Sequence, residues 1–141
     1  MQDVDSRADE LLKQAVLGHL GFIGPDGYPH VIAVWFDYAD GEILVATRPD
    51  EFKCRSLRAN GRAAFTVSTP EVPYGSTMVA GDATVEPLPE PRRIEFITKV
   101  ARRYLGADQG DRYVEKWKRG GHPGPGELIR IRPRRIGYYA G

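Results

Sequence analysis

The sequence predicts an α+β fold that is mainly β, a small six-stranded antiparallel barrel with flanking helices. Three observations carry this: six short runs rich in β-branched and aromatic residues, tight turn signals between them, and helical spacing in the segments after the third and fifth runs. The chain has 141 residues, about one domain's worth, and residues 1–141 are read as a single unit. A barrel this small fills its interior with side chains, so a ligand is expected on its outside or at a seam.

Each element follows from local signals. Residues 6–17 read as a short helix with Ser6 as its cap and Leu11, Leu12, Ala15 and Val16 as one apolar stripe. Residues 17–24 form an apolar strand closed by Pro25-Asp26-Gly27, and residues 28–37 (YPHVIAVWFD) resume as its hairpin partner. Asp40-Gly41 makes a second tight turn into a third strand over residues 42–47. The charged segment 48–60 fits a short helix with Phe52 and Leu57 as apolar contacts, ended by a left-handed stop at Asn60-Gly61. Cys54 within it reads as a small packing residue. Residues 62–69 are a fourth strand, 70–75 a loop, and 77–86 a fifth strand in which Gly81 marks a bulge or a close backbone approach. Pro91 opens a helix with Ile94, Ile97, Ala101 and Tyr104 on one face, and a further helical piece spans 111–119. Residues 120–126 (GGHPGPG) are an irregular connector. Residues 127–138 close the chain as the sixth strand, part of it placed at an edge by Pro133.

Composition narrows the function classes. Hydrophobic residues make up 41% and charged ones 28%, the balance of an ordered soluble globule. Lys and Arg total 20 against 19 acidic residues, so the basic signature of a nucleic-acid or anionic-membrane binder is missing. One cysteine makes no internal disulfide, and the polar start MQDVDSRADELLKQ has no apolar core of a secretory signal. The expectation is a soluble, cytoplasmic protein with neither nucleic acid nor membrane as partner. His19, His30 and His122 lie far apart without paired ligands, so no metal site is expected. The GGHPGPG segment lacks the G-K-[ST] ending of a phosphate-binding loop.

Two constellations remain. In Thr47-Arg48-Pro49-Asp50-Glu51-Phe52-Lys53-Cys54-Arg55, a hydroxyl and a guanidinium end a strand, and a lysine and an arginine begin a helix. Such groups can converge on one phosphate, helped by the positive end of the helix dipole. The competing reading is a solvated helix face, and Asp50 or Glu51 turned inward would repel an anion. The aromatics Tyr28, Trp35, Phe36, Tyr38 and Tyr74 suit either an interface or the face of a flat conjugated ligand.

The runs GPDGYPHVIAVWFDYADGEILVAT, EFKCRSLRANGRAAFTV and MVAGDATVEP, in this order and spacing, resemble the split β-barrel superfamily that includes pyridoxamine 5'-phosphate oxidase, and most of all its small branch that binds FMN or a deazaflavin. The resemblance implies a homodimer with the cofactor in a groove at the subunit interface. It implies FMN, or alternatively the deazaflavin coenzyme F420, with the phosphate held by Thr47 and Lys53. Ile32, Ala33, Val34 and Trp35 would line the ring, with Ser76 reaching it and Tyr74 nearby. The chain departs from the oxidase proper at Ile32, where a basic residue is expected, and at Glu51 and Phe52, where a small hydroxyl and an arginine precede the lysine. Arg48 or Arg55 would supply the missing cation. The oxidase's C-terminal substrate-binding Arg and His have no counterpart after Pro133. The expected function is therefore a flavin- or deazaflavin-dependent oxidoreductase acting on a small substrate other than pyridoxamine phosphate. The alternative is a non-catalytic dimeric module that binds haem, a bilin or another planar ligand.

Overall fold

One run of sequence supplies both edges of a single sheet, and this fixes the architecture. The computed structural model describes residues 5–121 and 125–140. In chain order the elements are α1 (Ser6–Leu12), β1 (Gly18–Ile23), β2 (Pro29–Val34), β3 (Asp37–Ala39), β4 (Glu42–Thr47), α2 (Phe52–Ala59), β5 (Arg62–Ser68), β6 (Gly75–Leu88), α3 (Arg92–Leu105), α4 (Ala107–Arg119) and β7 (Gly126–Ala140). The strands form one antiparallel sheet in the order β2-β1-β5-β6-β7-β4-β3. β2 and β3 stand at opposite ends of that order, yet only Trp35 and Phe36 separate them in the chain. The sheet must therefore roll until its edges meet at this corner. Covalent continuity joins the two edges there, and among the described residues no ladder pairs β2 with β3, which leaves the barrel split.

The expected α+β split barrel is thus present, with seven strands in place of six. The single strand expected over residues 28–37 is two: β2 pairs with β1 as far as Gly18↔Val34, and β3 pairs with β4 from Asp37↔Leu44. Phe36 turns inward at the corner, fully buried, and meets Phe65 edge-on with ring centroids 4.9 Å apart. Strand arms and a buried corner call for the same residue types, so the break leaves no mark in the hydrophobic pattern.

Period-two alternation fills the interior. Leu20 and Phe22 point inward from β1, Phe65 and Val67 from β5, Val79 from β6, Ile129 and Ile131 from β7, and Ile43 and Val45 from β4. Leu11 and Leu12 of α1 and Cys54 and Leu57 of α2 join this core. Asp40 and Gly41, with φ of 53° and 73°, make the type I′ turn that the β3–β4 hairpin requires. Gly81 lies at the register shift of β6, where a Cβ would run into the carbonyl of Arg132 on β7. Pro133 faces Gly81 beyond the end of the β4–β7 ladder at Ile131, so its missing N–H interrupts no bond on that side.

Helix boundaries need correction. α1 stops at Leu12, and its cap is Asp5, whose carboxylate accepts from the Arg7 N–H at 2.8 Å. The side chain one place ahead of Ser6 reaches the first turn, and the hydroxyl is not needed. Asn60 is extended (φ −141°) instead of left-handed; Gly61 is demanded by proximity, since a Cβ there would come within 2.9 Å of the Ala83 carbonyl. α4 begins at Ala107, and the backbone of α3 at Arg102 passes within 2.7 Å of where a Gly110 Cβ would sit. Arg103 ties α3 to the end of α1 by donating to the carbonyls of Leu12, Lys13 and Gln14 at 2.7–3.1 Å. His122 and its neighbours 123 and 124 in the GGHPGPG connector lie outside the described residues. Among the described residues, no helix is long and apolar enough to cross a membrane.

Candidate functional site

The site grows from the end of β4. Thr47, the last residue of that strand, lies in register with Glu127 of β7. The chain then reverses through Asp50, which adopts a left-handed conformation (φ 56°) that Asp tolerates better than most residues. Buried Glu127 holds this turn: its Oε1 accepts the Asp50 N–H at 2.6 Å, and its Oε2 pairs with Arg58. The reversal starts α2 beside the strand end it has just left, so Lys53 in the first turn faces back toward Thr47.

Three donors converge there on one carboxylate. Thr47 Oγ1 lies 3.2 Å and the Arg48 backbone nitrogen 3.1 Å from Glu51 Oε1, while Lys53 Nζ lies 2.9 Å from Glu51 Oε2. Glu51 precedes α2 in the N-cap position, yet its side chain makes no capping bond to the helix and turns back to the strand end. Burial alone would raise its pKa, but bonds from Lys53, Thr47 and Arg48 outweigh that and hold the carboxyl below its ordinary value. The Lys53 side chain is only 14% exposed, so its charge is poorly screened by water.

This corner is one end of a cleft of about 320 Å³. Val34 and Trp35 from the β2 end, with Val45 and Ala46 of β4, form one wall; Arg93, Phe96, Ile97 and Val100 of α3 and Tyr113 and Trp117 of α4 form the other. Trp35 stacks on Tyr104 at 5.0 Å with the planes 6° apart and touches Tyr113 at 5.2 Å. The guanidinium of buried Arg93 lies 4.9 Å from the Trp117 ring centre. The arrangement can take a flat, largely apolar body with an anionic end, and the Glu51 carboxylate demonstrates that an oxyanion fits the donors.

Of the residues singled out from the sequence, Val34, Trp35, Thr47, Arg48 and Lys53 come together in this cleft. Ile32 packs against the core from the same strand, and Ala33, alternating with it, faces outward. Arg55 does not line the cleft; its guanidinium bonds to the Asp50 carbonyl. Tyr74, 53% exposed in the loop ahead of β6, and Ser76, paired with Ser68 and Tyr139 in the sheet, do not line the cleft. Sequence reasoning missed the helical wall. Its signal was an arginine, Arg93, four residues ahead of Ile97 on an otherwise apolar face, and Tyr113 and Trp117 one turn apart.

The family model described as pyridoxamine 5'-phosphate oxidase matches residues 4–140. The chain belongs to the pyridoxamine 5'-phosphate oxidase family. Solved structures similar to this family member include a conserved hypothetical protein from Mycobacterium tuberculosis, 25% identical with a TM-score of 0.72, covering 99% of this chain and 86% of that one. Another is described as an F420 reductase, 27% identical with a TM-score of 0.70, covering 92% and 94% of the two chains. A haem-binding protein from Mycobacterium smegmatis, 18% identical with a TM-score of 0.64 over 99% of this chain and 56% of that one, shares the fold. No curated protein matches.

Proposed function

We propose that this family member is a flavin- or deazaflavin-dependent oxidoreductase acting on a small organic substrate, with FMN, or alternatively F420, held in the cleft beside Lys53. The observation that carries the reading is the convergence of the Thr47 hydroxyl, the Arg48 N–H and the Lys53 ammonium on one oxyanion at the end of an aromatic-lined cleft. A cofactor bound there would supply the redox step. The chain's own residues would grip its phosphate, lay its ring along Val34 and Trp35, and exclude water with the α3–α4 wall. The relative described as an F420 reductase supports the deazaflavin form. Titration with FMN and with F420, followed by visible absorbance and fluorescence, tests the reading. Binding of either in the micromolar range is expected, and no binding of either at tens of micromolar would overturn it.

The same reading includes a second copy of the chain. In one outward-facing row the register aligns Val31, Gly21, Ala64 and Ala80 across β2, β1, β5 and β6, a flat strip of small and apolar residues, and Val31 is 68% exposed. Tyr74 and Ser76, remote from the cleft within one chain, would reach a ring only from a partner. Ala64→Arg should therefore convert a dimer to a monomer in sedimentation velocity and weaken cofactor binding with it. A wild-type chain that sediments as a monomer would remove the second copy from the proposal.

A further inference from the structure

The corner that suits a phosphate already holds an anion of the chain's own. We propose that Glu51 is a built-in competitor for this corner, so that a phosphorylated ligand gains there only what exceeds the contacts it takes from the Glu51 carboxylate. The inference rests on the phosphate-anchoring reading above and adds a specificity-determining residue to it.

Three features of the structure support it. Glu51 accepts from the same three groups, Thr47, Arg48 N–H and Lys53, that face the end of the cleft, so ligand and side chain cannot both use them. Among the described residues that line the cleft, Glu51 is the acidic one; Glu127, behind the turn, is committed to the Asp50 N–H and Arg58. The carboxylate also has somewhere else to go. As the residue ahead of α2 it can rotate forward over the first N–H groups of that helix, with which its side chain makes no bond in this state. Exchange of the carboxylate for a phosphate at this fixed set of donors replaces one negative charge there by up to two. Retention of Glu51 close by then penalises a dianionic phosphate by like-charge repulsion.

The consequence is a weak preference of the wild-type protein for phosphorylated over unphosphorylated ligands of the same ring. Riboflavin and FMN differ only in that group, so their affinity ratio reads the corner directly. For wild type the ratio should stay within about tenfold, whereas Glu51→Gln should raise FMN affinity by roughly tenfold or more and leave riboflavin within about twofold. Inorganic phosphate, followed through the Arg48 amide resonance, should likewise bind Glu51→Gln more tightly than wild type, and this readout needs no ring to bind. If FMN binds wild type but gains nothing in Glu51→Gln or in Glu51→Ala, with melting temperatures retained, the competitor role is overturned and the proposed function stands. If riboflavin, FMN and F420 all fail to bind any form while phosphate binds the variant more tightly, the role stands and the proposed function falls. A wild-type preference for FMN over riboflavin above about a hundredfold overturns the role without any variant.

Discussion

Replacing Lys53 by alanine is expected to weaken FMN or deazaflavin binding by up to about tenfold, or about 1.4 kcal/mol, because the phosphate gains there only what exceeds the contacts it takes from Glu51. The ammonium sits where its charge is least screened, 14% exposed at the end of the cleft, and meets an oxyanion at 2.9 Å even before a ligand arrives. The fold should tolerate the change. Glu51, which loses its partner, has a side chain 38% exposed and so regains water, and the stability cost stays within about 1 kcal/mol. Arg55→Ala is the control from the neighbouring helix turn. Its guanidinium is engaged with the Asp50 carbonyl and lies outside the cleft, so affinity should change by less than about twofold. Calorimetric titration of both variants decides the matter: equal losses in the two would move the anchor away from Lys53.

That contrast marks the limit of reading the site from sequence. Thr47 and Lys53 are visible in the sequence because a hydroxyl at a strand end and a lysine in the first turn of the next helix are a local pattern, and local patterns survive folding. Arg55 belongs to the same pattern but lies on another face of α2, and which face turns inward depends on how Glu127, 77 residues on from Asp50, holds the turn. From the sequence, Glu51 is a repulsive charge if it points inward. It does point inward, and its own three bonds turn the repulsion into occupancy. The walls from α3 and α4 were illegible for a different reason: their apolar faces announced burial but not against what. The fold was more open to inspection. Asp40-Gly41, Gly81 and Pro133 are positions where backbone geometry admits few residues, and each falls where its chemistry demands. The Trp35–Phe36 corner carries no such demand, so one strand was read where the chain changes edge.

The corner also concentrates a large stability effect, at Tyr104. Its hydroxyl accepts the Phe36 N–H at 3.2 Å and donates to the Val16 carbonyl at 2.9 Å, joining the seam of the barrel to the segment entering β1. Burial raises the pKa of this phenol, so the proton needed for the second bond is retained at neutral pH. Its ring stacks on Trp35, which carries the cleft wall, and meets Phe36 edge-on at 6.5 Å. Tyr104→Phe should keep the stack and lose the two bonds, for roughly 1–2 kcal/mol in urea unfolding and little change in cofactor affinity. Tyr104→Ala removes the stack as well, for roughly 3–5 kcal/mol, and frees Trp35 to leave the wall, so ring binding should fall with stability. Riboflavin, which has no phosphate to hold it at Lys53, isolates that loss. Should Tyr104→Ala unfold at the wild-type urea midpoint, the seam is held by Phe36 and the core alone; should it destabilise the chain while riboflavin binds unchanged, Trp35 does not carry the ring.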